Sequence, residues 1–506
     1  MRNVTVTINE VLALSGGRLN GGDVADLVFD HITLNSSELK AGSLFAALPG
    51  LHAHGAKYAA GTPAAAILTD EDGLKILQDS GETRPVISVA DVRSILGPVS
   101  AAVYGHPSED MTVLGVTGTS GKTTTTYLLE AGLMALGHKV GIIGTTGTRI
   151  NGVAVPSKLT TPEAPKLQEL FAMMLSEGCT HVVMEVSSHA ISLGRITGTK
   201  FAVGGFTNLS QDHLDFHNTM EEYFEAKAGF FRAGSPARAE RAVIMVDDEW
   251  GARMVEVAGE AVTVSSQGGA VDVCAGDVVT SPAGIQEFTV SCAGRDHQVQ
   301  LALPGQFNVA NATLAIAIAH QVESDIAAFI AGIAEVGVPG RMERIDEGQN
   351  FLAVVDYAHK PAAVSAVLES VKTQVQGRVA VVLGAGGDRD ATKRPIMGSA
   401  AVGIADYVVV TDDNPRSEDP ATIRAAVLEG AHNALATAAH NPSVIEISDR
   451  GEAIIAAVEW AQEGDAIIVA GKGHENGQLV GEVNHPFDDR EHVREALRAR
   501  AERNGS

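Results

Sequence analysis

The segment Gly118-Thr119-Ser120-Gly121-Lys122-Thr123-Thr124 has the residue types needed to hold a chain of phosphates. Small residues let backbone N–H groups converge on an anion. Lys122 supplies a point charge for the terminal phosphates, and Thr123 a hydroxyl able to ligate Mg2+. The strict spacing G-x-x-x-x-G-K-[ST] is not met, because position 116 is Val; the pattern is Gly115-x-x-Gly118-Thr119-x-Gly121-Lys122-Thr123. The chemistry this predicts is ATP binding. A nucleotide loop alone leaves a kinase, a motor, a switch or a ligase open.

Other residues with chemical potential follow in order. Glu185-Val186-Ser187-Ser188-His189 is one group and Thr207-Asn208-Leu209-Ser210-Gln211-Asp212-His213-Leu214-Asp215 a second. Then come Tyr223 to Lys227, Pro304 to Asn311, Gly340-Arg341-Met342-Glu343-Arg344 and Asp356-Tyr357-Ala358-His359. Taken singly, Glu185 could cap a helix, His213 could be a turn histidine and Lys227 a solvated helix lysine. Asn308 and Asn311 could read nucleotide or cap a helix. Arg341 would bring charge to phosphate, and Asp356 could accept from a ribose hydroxyl.

The elements that must position these residues are legible. Residues 113–118 predict a strand and 122–136 a helix whose N-terminus adds partial positive charge at the loop. Short β-branched runs at 181–185, 352–356, 379–384, 407–412 and 466–471 read as strands buried on both faces, with helical stretches such as 419–436 between them. In such parallel sheets ligands gather at the carboxyl ends of the strands, where the polar residues above sit. Residues 270–303 alternate apolar and polar and predict an antiparallel insertion; 501–506 predict a frayed tail. Turn residues near Gly105–Ser108 and Gly337–Gly340 divide the chain into 1–108, 109–337 and 338–506. The fold class expected is α/β in three blocks, with mostly parallel sheet in the second and third.

Composition narrows the partners. The chain has 506 residues and a formal charge of −25, which repels nucleic acid and anionic membrane, so any anionic substrate needs a local basic pocket. Cys179, Cys274 and Cys292 suit neither a zinc site nor a disulfide framework, which fits a reducing, cytoplasmic setting. Met1 to Val4 lack a signal peptide's apolar core, and no uninterrupted apolar run is long enough to span a membrane.

The ordered series from the phosphate loop to Asp356-Tyr357-Ala358-His359 closely resembles the Mur ligases, the ATP-dependent amide-bond-forming enzymes of peptidoglycan precursor synthesis. The resemblance spans essentially the whole chain and implies three domains: an N-terminal domain, a central P-loop ATPase with a mostly parallel sheet, and a C-terminal Rossmann-like domain. It implies that ATP phosphorylates a D-glutamyl carboxylate, that an amine attacks the acyl phosphate, and that Lys122, Glu185, His213 and Lys227 are catalytic. It implies Mg2+ ligation by Thr123, Glu185, His213 and a carbamylated Lys227. ATP would be bound by Gly118 to Thr124, Asn308, Asn311, Arg341 and Asp356. The UDP-sugar end of UDP-N-acetylmuramoyl-L-alanyl-D-glutamate would be bound by Leu34, Ser36, Thr160, Thr161, Ser187 and Arg195, although Asn35-Ser36-Ser37 stands where relatives often read Asp-Ser-Arg.

Asp413-Asn414-Pro415-Arg416 resembles the form found in members that add meso-diaminopimelate as the third residue. Selecting that amino acid over lysine calls for a cation at its far carboxylate, which Arg416 would grip. Arg389, Gly471 and Glu475 match further contacts to it. Lys360 stands where many relatives have Thr, a departure that touches nothing essential in this reading. A monomer is expected. An L-lysine-adding member, a folylpolyglutamate synthetase and a non-catalytic nucleotide or UDP-sugar regulator are the alternatives. The block before the loop argues against the synthetase, and the intact set of Lys122, Thr123, Glu185, His213 and Lys227 against the regulator.

Overall fold

A computed structural model describes residues 5–504 apart from 22, 23, 25, 26, 51, 158, 214, 215, 282 and 283. Met1 to Val4, Leu214, Asp215, Gly505 and Ser506, on which expectations were placed, lie outside the described residues.

The β-branched runs become strands because both of their faces are covered. In Val379–Leu383, Val379, Val381 and Leu383 pack in one cluster while Ala380 and Val382 pack in another on the opposite face. Ala466–Ala470 divides in the same way. Each buried Val, Leu or Ile among them contributes on the order of 1.5–3 kcal/mol by leaving water. Alternation of this kind pins the register, since a one-residue slip would exchange the two faces.

Three larger sheets result. In the first, the order is Arg18–Asn20, Val86–Val89, Ala66–Asp70, Ser43–Ala47, His31–Thr33; all neighbours are parallel except the first pair. At the centre of the second, Val140–Gly144, His181–Glu185, Thr112–Thr117, Val203–Phe206, Arg241–Met245 and Val262–Ser265 run parallel side by side. The third orders Glu343–Arg344, Leu352–Asp356, Ala466–Ala470, Val379–Leu383, Tyr407–Val410 and Ser443–Glu446, parallel except at the first pair.

Two expectations change. The alternating stretch at 270–303 does form an antiparallel meander, Val273–Thr280, Gln286–Cys292 and Arg295–Leu301, but it is no separate insertion. Val273–Thr280 pairs in parallel with Val262–Ser265, so the meander extends the central sheet. The tail expected to fray is helical to Asn504 as part of Asp489–Asn504; Val493, Ala496 and Leu497 anchor that helix in the C-terminal core. Among the described residues no helix is long and apolar enough to cross a membrane.

Candidate active site

The loop at 118–121 joins Thr112–Thr117 to the helix Lys122–Ala135. Gly118 (φ 145°) and Gly121 (φ 89°) hold conformations that a side chain disfavours. Space excludes one as well: a Cβ on Gly118 would stand 1.8 Å from Thr207 Oγ1, and one on Gly121 2.2 Å from Asn311 Oδ1. Thr207 and Asn311 thus brace the loop from two sides, and Asn311 in turn donates to Asn308 Oδ1 at 3.1 Å.

Three lysine amines converge here. Lys122 Nζ donates to the carbonyls of Gly118 (2.9 Å) and Thr119 (3.0 Å). Lys227 Nζ donates to Gly118 O at 2.9 Å, and Lys360 Nζ to Thr119 O at 3.2 Å. Burial, then the neighbouring charge of Lys360, brings Lys122 down to about 8. Burial, then Lys122 and Lys360, holds Lys227 well below the usual lysine range. Lysine amines crowded onto neutral carbonyls form a site suited to an anion, because incoming phosphate would relieve the repulsion between Lys122 and Lys360.

Glu185 ends the strand His181–Glu185 and is 1% exposed. Its Oε1 accepts from Thr123 Oγ1 (2.9 Å) and Thr145 N (2.8 Å), and its Oε2 from Thr145 Oγ1 (3.0 Å). Behind it, Thr161 Oγ1 donates to Glu185 O at 2.8 Å and accepts from Ser187 N at 3.1 Å. Thr160 Oγ1 lies 3.3 Å from Thr145 Oγ1, and Arg195 donates to Thr161 O (3.3 Å) while pairing with Glu163 (2.9 Å). Thr160, Thr161, Ser187 and Arg195 therefore form one patch around Glu185. Leu34 and Ser36 sit instead past the carboxyl end of His31–Thr33, where Asn35 caps the turn by accepting from Ser37 N.

His213 adopts φ 54° and places Nε2 3.1 Å from Asp212 Oδ2. Burial outweighs the attraction of Asp212 and, with Lys360, Lys122 and Lys227 nearby, brings the imidazole down to about 3. Burial raises the Asp212 carboxyl, but the neighbouring charge of Lys360 leads the opposing causes and the group is held well below the usual carboxylate range.

The C-terminal half reaches this site at several points. Arg341 donates to Thr123 Oγ1 at 3.3 Å with its guanidinium 4.0 Å above the Tyr357 ring. Asp356 aims it: Oδ2 accepts from Met342 N at 2.7 Å and Oδ1 from Ala358 N at 2.8 Å. Lys360 Nζ pairs with Asp212 at 2.8 Å, His474 Nε2 lies 3.2 Å from Thr145 O, and Gln211 donates to Asp390 at 3.3 Å.

At the carboxyl ends of Tyr407–Val410 and Ala466–Ala470 a polar group is assembled. Asn414 donates to Glu475 Oε2 (2.8 Å) and accepts from Lys472 Nζ (2.9 Å); Lys472 also pairs with Glu475 (3.2 Å) and stands 3.8 Å from Asp413. Asp413 also lies against Gly471, whose N–H donates to Asp356 O at 3.1 Å. Pro415 O accepts from Glu418 N at 3.1 Å. Arg416, at φ 53°, is fixed through its backbone to Leu479 and Gly481, and its guanidinium donates to Gly387 O. Arg389 is exposed on the neighbouring loop.

Comparison with known proteins bears on this geometry. Two family models match in tandem, the Mur ligase middle domain over residues 116–319 and the Mur ligase glutamate ligase domain over 340–473. A relative from Corynebacterium efficiens is 61% identical over 502 residues, covering 98% of this chain and 95% of that protein. The chain belongs to the Mur ligase family. That relative, and one from Corynebacterium glutamicum at 59% identity over 98% of this chain and 97% of the other, are named UDP-N-acetylmuramoyl-L-alanyl-D-glutamate--2,6-diaminopimelate ligase. A solved structure of a ligase with that name matches at 32% identity with a TM-score of 0.68, covering 98% of this chain and 99% of that one.

As a Mur ligase the chain is an ATP-dependent amide-bond-forming enzyme, and several residues that sequence reasoning passed over stand inside its site. Lys360, treated as incidental, is 7% exposed and touches both the loop and Asp212. Asp212 lies in the Thr207–Asp215 group, and Lys472 and His474 between Gly471 and Glu475, none of them with an expected role. Thr145, which supplies two of the hydrogen bonds to Glu185, had no signal beyond following a strand.

Proposed function

We propose that this chain joins meso-2,6-diaminopimelate to the D-glutamyl carboxylate of UDP-N-acetylmuramoyl-L-alanyl-D-glutamate, converting ATP to ADP and phosphate. One observation carries the reading. The residues chain-adjacent to two proposed amino-acid contacts touch the central domain: His474, next to Glu475, meets Thr145, and Asp390, next to Arg389, meets Gln211. The amino-acid group is thereby tied to the end of the sheet that holds the phosphate loop.

In this reading the three domains are 1–108 for the UDP end, 109–337 for ATP and 338–506 for the amino acid. The N–H groups of Gly118 to Thr124, with Lys122 and Arg341, hold the triphosphate, while Asn308, Asn311 and Asp356 support the nucleotide and the turn that carries Arg341. A D-glutamyl carboxylate oxygen bonds to the γ-phosphorus as the bond to the ADP oxygen breaks. The diaminopimelate amine then attacks the acyl carbon, loses a proton and expels phosphate. Leu34, Ser36, Thr160, Thr161, Ser187 and Arg195 hold the UDP-sugar; Arg389, Asp413 to Arg416, Gly471 and Glu475 hold diaminopimelate, with Arg416 on its distal carboxylate and Glu475 on its distal ammonium.

Mg2+ prefers hard oxygen donors, and the residues fit it. The Thr123 hydroxyl and Glu185 carboxylate stand 2.9 Å apart at the loop. Burial brings the His213 imidazole down to about 3, so it is neutral as a ligand must be, and holds the Lys227 amine well below the usual lysine range, the direction a carbamate precursor needs. Bound there, Mg2+ supplies neutralisation of phosphate charge. The reading is of a monomer acting in the cytoplasm, which a soluble, nucleotide-linked substrate supports.

The test is an ADP-release assay with UDP-N-acetylmuramoyl-L-alanyl-D-glutamate and meso-diaminopimelate, L-lysine or glutamate in parallel. Turnover with diaminopimelate, and a product heavier by that residue, is expected; equal turnover with lysine would refute the assigned specificity.

A further inference from the structure

At the end of the central sheet away from the phosphate loop, two histidines and a carboxylate converge. His138 Nε2 lies 3.0 Å and His181 Nε2 3.2 Å from the same Glu323 Oε1, and the three candidate donor atoms all lie within 4.8 Å of one another. Donors bonded to a tetrahedral ion at about 2.0–2.1 Å stand roughly 3.3 Å apart, close to these two spacings. Two imidazoles and one carboxylate suit a zinc-class ion better than Mg2+ or Ca2+.

The surroundings favour the ligand form of both rings. Thr180 Oγ1 lies 2.9 Å from His181 Nδ1 and 3.4 Å from His138 Nδ1. In a purely hydrogen-bonded cluster, with both Nε2–H groups donating to Glu323, the single hydroxyl proton of Thr180 serves only one Nδ1. With both Nε2 atoms turned to an ion, each Nδ1–H donates to the Thr180 oxygen, the outer contact that orients metal-bound histidines. His181 is 6% exposed, so its ring is withdrawn from bulk water.

We propose that His138, His181 and Glu323 form a site for a divalent transition-metal ion of the zinc class, with water completing the tetrahedron. The position gives the ion a role. His138 follows the helix that begins at Lys122, His181 begins the strand that ends at Glu185, and Glu323 follows the helix that carries Asn308 and Asn311. The ion clamps the rear of three elements whose front ends build the ATP site. His181 and Glu185 are separated by one short strand, roughly 13 Å at about 3.3 Å per residue, so the ion itself takes no part in phosphoryl transfer.

The full-length chain without an affinity tag, stripped by chelator and held in Mg2+ buffer, would be titrated with Zn2+ by calorimetry and with Co2+ by visible absorption. His138→Asn and Glu323→Gln are mild variants, since both side chains reach solvent (28% and 17% exposed). The wild type is expected to take up one equivalent that each variant binds at least about a hundredfold more weakly, the upper end of what even outer-shell changes cost. It should also show a tetrahedral Co2+ band that the variants lack, and its Tm should rise with Zn2+ where theirs does not. X-ray absorption of the Zn2+-loaded wild type should report two imidazoles and needs no variant. Undiminished uptake in both variants, or a spectrum without imidazole ligands, overturns the site. No substrate enters these measurements, so their outcome is independent of the ligase assignment.

Discussion

Lys360 Nζ lies 2.8 Å from Asp212 Oδ2 and 3.2 Å from the carbonyl oxygen of Thr119, so one side chain of the C-terminal half is tied to both the phosphate loop and the segment carrying His213. The pair is nearly dry, with side chains 8% and 11% exposed. Removing one partner of a buried pair strands the other charge, at a cost of about 3–5 kcal/mol. Because this pair bridges two halves with their own cores, the cost falls on docking rather than on unfolding.

Lys360→Thr, which keeps a polar side chain but removes the charge, is therefore expected to lower kcat/KM by more than about tenfold, since partial exposure on opening recovers some of the stranded-charge cost. Its Tm should change little. Asp212→Asn added to it should cost much less than it does alone. Steady-state kinetics of the double-mutant cycle check this; strictly additive losses would show that the two groups do not act as a pair.

Lys227 is 1% exposed, donates to Gly118 O and is held well below the usual lysine range by burial and by its cationic neighbours. Lys227→Ala is expected to lose activity by more than about a hundredfold if its carbamate completes a metal site. Short carboxylic acids should restore part of it by filling the vacated volume with an oxygen donor. Near-normal activity without added acid contradicts a carbamate there.

The pH dependence of ATP use follows from Lys122. Its folded value of about 8 lies below the ordinary 10.5. The free enzyme carries this ammonium below about pH 8, and ATP affinity should fall as pH rises through that value. The stability effect has the opposite sign. Between about 8 and 10.5 the unfolded chain binds more protons, so this group's contribution to stability rises with pH. Nucleotide titrations from pH 6 to 10 should show the fall in the wild type and lose it in Lys122→Met.

Arg416 has its backbone clamped by Leu479 and Gly481, so truncating its side chain leaves the turn in place. Charge-assisted hydrogen bonds are worth about 1.5–3 kcal/mol, so Arg416→Ala should raise KM for meso-diaminopimelate roughly 10–100-fold with KM for ATP unchanged. Unchanged amino-acid kinetics would remove Arg416 from the specificity site.

What the sequence determined by itself was local chemistry and local shape. Residues 118–124 specify an anion-binding turn because glycines, a lysine and a helix start are contiguous. The strands His181–Glu185 and Leu352–Asp356 were readable to the residue, and Ala466–Ala470 to within one, because continuous β-branched runs have few other ways to be buried. The resemblance carried across the chain because the motifs keep their order. Tertiary structure alone decided which long-range partners meet. Lys360 and Asp212 are 148 positions apart, as counted from their numbers, and neither stands out in composition. Asp356, expected at a ribose, has both oxygens engaged by backbone N–H groups that hold the Arg341 turn. The alternating stretch from Val273 to Leu301 announced its antiparallel pairing but not its partner, because alternation records which faces are buried and not which strand lies alongside. His138, His181 and Glu323 lie far apart in the chain and carry no motif; packing of the sheet against its helices brought them within reach of one another.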